Sequence, residues 1–372
     1  MSTDFYPEVH DVGKLGDVER LNADPGILLK FGDTHPFKDE KDKPYPFGEK
    51  IGEEPKNLTW LGVRYHHLSR SFNITFPNNR TDPFKERSYE DCAKIFLLCI
   101  ADHLASAVSR TIAEDVKKQL PKSPPKSNEE KRLLKLWNPC YKKSLDLPIR
   151  DLETLKKAMD LIQNKPSEFL NEYRDALLTT PEDKMPLFNL TTLYTHCELV
   201  GKIYRFLEAN TKLVEKNGKK YISFAGRDVS TVGEAEEKWK FTLVKCQVSF
   251  PQKPVRTRDL NIIHLQYNLI EELKKDANLL LSTSDTMWFV FPEGTNIKDE
   301  MQKKKLSPFW EYGFYFEFRE KDYSLKESVS PLIGPGSTEI SPLDWRSIYA
   351  QDIEAGKDTF SPPMCDVCQM GR

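Results

Sequence analysis

The sequence predicts an α+β protein in which a mainly helical N-terminal part precedes a strand-helix-strand unit. Three observations carry this. Apolar residues recur at helical spacing after Asp91 and again after Leu193, they alternate with polar ones after Phe241, and a chain of 372 residues exceeds one packed globule. Composition is that of a water-exposed protein, 38% hydrophobic and 30% charged, and no apolar run has membrane-spanning length. No membrane partner is expected. The first turn carries Asp4 and Glu8 where a secretory leader has a basic patch and an apolar stretch, so the expected location is the cytoplasm. Seven cysteines, an odd number spread along the chain, read as reduced thiols, with only Cys365 and Cys368 at ligand spacing.

The elements follow in order. The first ninety residues read as short helical pieces and long loops, with a Pro/Gly/Lys-rich tract from Gly32 to Pro55. From Asp91 a long helix is predicted through Ile95, Leu98, Cys99, Ala105 and Ile112, which sets Asp102 on its apolar stripe. Pro121-Lys122-Ser123-Pro124-Pro125 breaks it, and residues 118-130 read as a linker or exposed insertion. Nine lysines and arginines lie between Lys117 and Lys143 against Glu129 and Glu130. That excess reads first as a solvated linker, with a phosphate track as the alternative, since a net charge of -2 does not advertise a nucleic-acid binder. Helical segments resume near Glu129 and run to about Asn210. Thr242, Val244, Cys246, Val248 and Phe250 then alternate as a half-buried strand. Asp259 caps a predicted helix through Ile262, Leu265, Leu269, Leu273 and Ala277, Thr286 to Phe291 reads as a second strand, and Phe314 to Phe318 as a further one. Trp288, Phe289 and Phe291 read as strand core, and Gly334-Pro335-Gly336-Ser337 as a turn.

His10-Asp11, in Glu8-Val9-His10-Asp11-Val12-Gly13-Lys14, is the most informative pair. Adjacent imidazole and carboxylate ligands followed by a lysine suit a divalent metal acting on phosphate esters. Two neighbouring side chains hold a metal weakly, so distant segments must add ligands. The doublet His66-His67 offers one ring to a metal and the other to a phosphate or carboxylate. His196 falls on an apolar stripe with Leu193, Val200, Ile203 and Leu207, spaced 3, 4, 3, 4. An imidazole there and a carboxylate at Asp102 are costly to bury unless paired or metal-bound. His35, before Pro36, is a loop candidate near the site, and His264 is left without a role.

His10-Asp11 with Gly13-Lys14 resembles the motif of the HD phosphohydrolase superfamily, whose helical bundles bind divalent metal through a first histidine, the His-Asp doublet and a final aspartate. Only nine residues precede His10, so the first histidine must come from later in the chain. That circular permutation resembles the N-terminal nuclease domain of the large subunit of type III CRISPR effector complexes. Leu193-Tyr194-Thr195-His196 is similar to the helix carrying the displaced histidine there, with Thr195 where the family often has Asp, and Ala101-Asp102-His103-Leu104-Ala105-Ser106 to its aspartate helix. The resemblance points to a variant, Csx-eleven-like branch and to the N-terminal portion of such a subunit.

What the resemblance implies is specific. Residues 1-225 form a permuted HD-type bundle and residues 238-372 a degenerate palm-like, ferredoxin-like unit ending in half a zinc knuckle. His10, Asp11, Asp102, His196 and His67 are its metal ligands, with His10, Asp11, Lys14, His66 and His67 serving catalysis. A transition metal, Mn, Ni or Co, suits that donor set better than Mg, and Cys365 and Cys368 supply half of a zinc site. The expected activity is metal-dependent cleavage of single-stranded DNA or RNA in antiviral defence, with guide RNA and other effector subunits as partners. A nucleotide phosphohydrolase and a non-catalytic scaffold subunit are the alternatives. The Gly-Gly-Asp-Asp loop of a second palm is missing from these residues, so no cyclase activity is assigned.

Overall fold

The computed structural model describes residues 5–27, 56–67, 87–119, 137–138, 143–144, 146–180, 192–249, 260–282, 286–301, 306 and 315–324. The tract at 32–55, His35, the break at 121–128, Phe250, Phe314, the turn at 334–337, Cys365 and Cys368 lie outside them. The chain divides into two compact units, Met1–Ala235 and Glu236–Arg372.

In the first unit the N-terminal segment is core. Two 3-10 turns, Pro7–Val9 and Val12–Leu15, bury Val9, Val12 and Leu15 completely, which drags His10 and Asp11 inside with them. Helix α1 (Val18–Ala23) follows, its N-cap Asp17 accepting from the Arg20 amide at 3.2 Å. α2 (Leu58–Tyr65) begins at Asn57, whose side chain accepts from the Trp60 amide at 2.7 Å, and every residue of it is buried. α3 spans Tyr89–Gln119, as the periodicity after Asp91 predicts. Where that periodicity continued past Glu129 as helix, the described residues hold an antiparallel ribbon of β1 (Trp137–Asn138) and β2 (Lys143–Ser144). Tryptophan favours a strand over a helix there.

α4 (Leu152–Asn164) opens on a capping box made by Asp151 and Thr154. α5 (Pro166–Glu172) starts on a proline in its first turn, α6 covers Arg174–Thr179, and α7 covers Leu193–Asn210. Trp60, Val63, Leu155, Ile162, Phe169, Leu177, Leu193 and Cys197 pack with the N-terminal turns into one cluster. A meander of β3 (Thr211–Lys216), β4 (Lys219–Phe224) and β5 (Arg227–Val229) then follows, in that order and antiparallel. Asn217 and Gly218, at φ 53° and 69°, make the tight turn between β3 and β4. α8 spans Val232–Lys238.

The second unit has a four-stranded antiparallel sheet. β6 (Lys240–Ser249) leads into α9 (Leu260–Leu273), then β7 (Leu279–Ser282), β8 (Thr286–Pro292) and β9 (Tyr315–Ser324), in the spatial order β7-β8-β6-β9. β6 and β7, joined through α9, therefore flank β8: a split β-α-β arrangement. Val244, Cys246 and Val248 of β6 meet Met287, Phe289 and Phe291 of β8 and Ile270 of α9, with Leu265, Leu269 and Leu273 against them. Phe241 and Leu243 are buried as well, sharing their face with Val290 and Trp288, so β6 is more buried than its alternation predicts. Among the described residues no helix is long and apolar enough to cross a membrane.

Candidate metal centre

Four segments deliver the predicted residues to one place. His10 caps the first 3-10 turn and Asp11 starts the second. His66 caps α2 with His67 beside it, Asp102 comes from α3 and His196 from the first turn and a half of α7. His10, Asp11, His66, Asp102 and His196 are all buried, while His67 is about a third exposed at the rim.

The two carboxylates sit among the imidazoles. Asp102 Oδ1 lies 3.3 Å from His196 Nε2 and 3.6 Å from His10 Nε2, and its Oδ2 lies 3.9 Å from His67 Nδ1. Ser106 donates to Asp102 Oδ1 at 3.3 Å from one turn along α3. Asp11 lies 3.7 Å from His196 Nε2 and 3.9 Å from His66 Nε2, and it is ion-paired with Lys14. The rings of His10 and His66 meet edge to face at 5.0 Å.

Backbone carbonyls set the ring tautomers. His10 Nδ1 lies 2.9 Å from the Pro7 carbonyl, and His66 Nδ1 lies 2.9 Å from that of Gly62 and 3.2 Å from that of Val63. A carbonyl only accepts, so each Nδ1 carries a proton, and in the neutral ring each Nε2 turns a lone pair into the cluster. His10 Nε2 is buried without a hydrogen-bond partner and faces Asp102 Oδ1, another acceptor. Two lone pairs turned towards each other fit a cation between them, and the second nitrogen bonded to a carbonyl is the support that metal-binding histidines have.

Electrostatics agree. Burial, then the neighbouring His67 and His10, hold His66 well below an imidazole's ordinary 6.5, so it is neutral and able to ligate. Burial alone would push the Asp102 carboxyl up, but in the metal-free site hydrogen bonds from His10 and His196, when those rings carry a proton, outweigh it and hold Asp102 well below the usual carboxylate range. Three overlapping groups have ligand atoms within 4.8 Å of one another: His10, Asp11 and His196; His10, His66 and Asp102; Asp11, His66 and His67. This buried cluster could hold a metal ion.

Pro7, Gly62 and Val63, whose carbonyls orient the rings, carried no signal in the sequence, because a backbone acceptor has none. Ser106 was visible only as part of the Asp102 helix motif. His103 is half-buried on α3, and His264 is exposed on α9 with its Nε2 3.2 Å from Asn268. Cys99, Cys197 and Cys246 are buried and Cys92 is half-buried.

No family model matches the chain, and no curated protein does. Among solved structures it is similar to a Csm1-Csm4 cassette in complex with cA4, at 14% identity and a TM-score of 0.46, over 94% of this chain and 47% of that one. A Csm1-Csm4 cassette in complex with cA3 gives 15% identity and 0.45, over 94% and 48%. An apo cassette gives 12% and 0.39, over 74% and 39%. The chain spans about half the length, or less, of the chains to which it is similar.

Proposed function

We propose that this chain is an HD-type, metal-dependent phosphodiesterase that cleaves single-stranded nucleic acid within a type III CRISPR effector complex. The observation that carries the reading is the meeting of His10, Asp11, His66, His67, Asp102 and His196, from four segments remote in sequence, in three overlapping groups of ligand atoms. Their chain order supports the permuted form of the HD bundle, with the doublet first and His196 last. The split β-α-β sheet has the strand order of a ferredoxin-like fold, which supports a palm-like second unit.

A divalent cation bound here supplies Lewis acidity to a phosphoryl oxygen and acidifies a water. The protein's own part is orientation and charge. His10 and His66 present lone pairs from fixed tautomers, and Asp11 and Asp102 bring the negative charge that a cation needs. Several imidazoles with two carboxylates favour Mn, Ni or Co over Mg. Lys14, partly exposed beside Asp11, and His67 at the rim suit the neutralisation of charge on phosphate oxygens. Zinc at Cys365 and Cys368, the guide RNA and the partner subunits rest on the motif resemblance alone.

The test is cleavage of an end-labelled single strand by the purified, Mn-loaded chain. Replacing His10 and Asp11 together by alanine is expected to slow it by a hundredfold or more, on the order of what displaced metal support costs. Wild-type rates in that double variant overturn the reading. A dinucleotide hydrolysed as fast as a long strand identifies a nucleotide phosphohydrolase instead, and a chain that retains no cation after Mn loading and gel filtration is a scaffold.

A further inference from the structure

The meander after α7 has two unlike faces. In the register of β3 and β4, Thr211, Leu213 and Glu215 share one face with Lys220, Ile222 and Phe224. That face belongs to the core: Ile222 and Phe224 are buried, Phe224 meets the Phe206 ring of α7 at 5.8 Å, and Glu215 stands directly across from Lys220. Opposite charges opposed across a ladder are favourable.

The other face reverses that logic. It carries Lys212, Val214 and Lys216 of β3, Lys219, Tyr221 and the buried Ser223 of β4, and Asp228 of β5. Lys212, Lys216 and Lys219 are exposed, Val214 and Tyr221 half-buried. Lys216 stands directly across from Lys219, and like charges so placed oppose pairing. Asp228 is ion-paired with Lys216, which leaves this face with an excess of positive charge around one aromatic ring. A half-buried tyrosine among exposed lysines on a sheet is the chemistry of single-strand recognition, in which cations track the backbone and a ring stacks on a base.

The sheet is also coupled to the metal centre. α7 carries His196 near its start and passes into β3 at Thr211 without a loop. Fourteen residues of helix, at about 1.5 Å each, put the start of the sheet roughly 21 Å along the axis from His196, a span that a few nucleotides cover.

The geometry points to the Lys212, Lys216, Lys219 and Tyr221 face as a docking platform for single-stranded nucleic acid, the lysines on phosphates and the tyrosine under a base. It deepens the proposed function by naming where the strand is held outside the metal centre, and it rests on that reading for its substrate class.

Binding of an end-labelled thymidine single strand, followed by fluorescence anisotropy on the full chain, tests it. Reversing Lys212→Glu and Lys219→Glu together is expected to weaken binding about tenfold or more and to flatten the logarithmic salt dependence by about 1.4, two contacts at about 0.7 each on a single strand. Lys156→Glu with Lys165→Glu, the same charge change on exposed positions of the helical surface, is the control and stays within about twofold of wild type. A loss no larger than the control's overturns the proposal. Tyr221→Ala weakens binding several-fold and Tyr221→Phe keeps it; equal affinity in the two overturns it too. So does competition by poly-glutamate as strong as by an oligonucleotide of equal charge. Hydrolysis of bis(p-nitrophenyl) phosphate needs the metal centre but no strand, and is expected to be unchanged by the lysine reversals. Should no preparation hydrolyse it while the reversals still abolish binding, the proposed function fails and the docking face stands.

Discussion

His66 is neutral because it is buried beside two other imidazoles while its Nδ1 proton is bonded to the Gly62 carbonyl. An unfolded chain takes up a proton on this residue near 6.5, and the folded chain does so only well below that value. The unfolded state therefore binds more protons as pH falls, so stability fully present above 6.5 is lost progressively below it. Asp102 acts in the same direction but lower, since a carboxyl held below 3.8 loses its contribution only as pH falls through that region. Between pH 6.5 and about 5 the loss in chelator-treated protein belongs to His66 among these two groups. His66→Asn keeps a donor for the Gly62 carbonyl without the titrating ring, and is expected to flatten the fall in melting temperature across that window. Parallel wild-type and variant curves would remove His66 as the source. The imidazoles and carboxylates themselves were legible at this scale: a histidine and an aspartate on apolar stripes are anomalies that burial makes costly. The carbonyls that choose each ring's tautomer were not.

The helix that carries His196 shows how an element can be read and still hide its key contact. Leu193, His196, Val200, Ile203 and Leu207 are all buried, as their spacing predicts, and Thr192 caps the helix by accepting from the Thr195 amide at 3.1 Å. Gly201 on the same helix is where the N-terminal turn approaches. A Cβ there would stand 2.7 Å from Glu8 Cγ, and Glu8, two residues before the doublet, is ion-paired with Arg205 of this helix. Gly201→Ala must therefore displace the Glu8 side chain, which disturbs its pairing with Arg205 beside the turn that leads into His10. The expected cost is about 1–3 kcal/mol in urea unfolding, as for other overpacked contacts, together with a weaker Mn titration. Gly233→Ala meets nothing within 4 Å and gains helix propensity, so it is expected to be neutral or stabilising. Equal stability in the two variants would show that the approach at Gly201 is slack. A glycine that permits close approach looks, in one sequence, like any other glycine. The β3–β4 hairpin had a better signal in Asn217-Gly218 between Val214 and Tyr221, which the helical pattern before it obscured. β7, a run of leucines without alternation, had none.

At the scale of the molecule the two units have separate cores, one gathered around Trp60, Val63 and Phe169 and the other around Val244, Phe289 and Ile270. The α+β class and the change from helical to alternating pattern were legible because each is a local periodicity. The convergence of residues 10, 11, 66, 102 and 196 is not local: nothing in the spacing of one segment reports its distance from another, and it was suggested by the cost of burying His196 and Asp102 on apolar stripes and by the motif resemblance. That convergence has a thermodynamic consequence. The ligand atoms lie within reach of one another only when all four segments are folded together, so a cation bound there stabilises that assembly and no part of it alone. At a free concentration a hundred times its dissociation constant the gain is about 2.7 kcal/mol. Hydrogen exchange read peptide by peptide gives the check. Mn is expected to slow exchange in α2, the buried part of α3 and α7, and in the turns at 7–15, while β6 and β8, whose core contains no member of the cluster, exchange as before. Asp102→Asn removes the carboxylate that faces three imidazoles and is expected to abolish the Mn effect in the first set of peptides. Protection spread equally over both units, or surviving in the Asp102 variant, would mean that Mn binds somewhere other than this cluster.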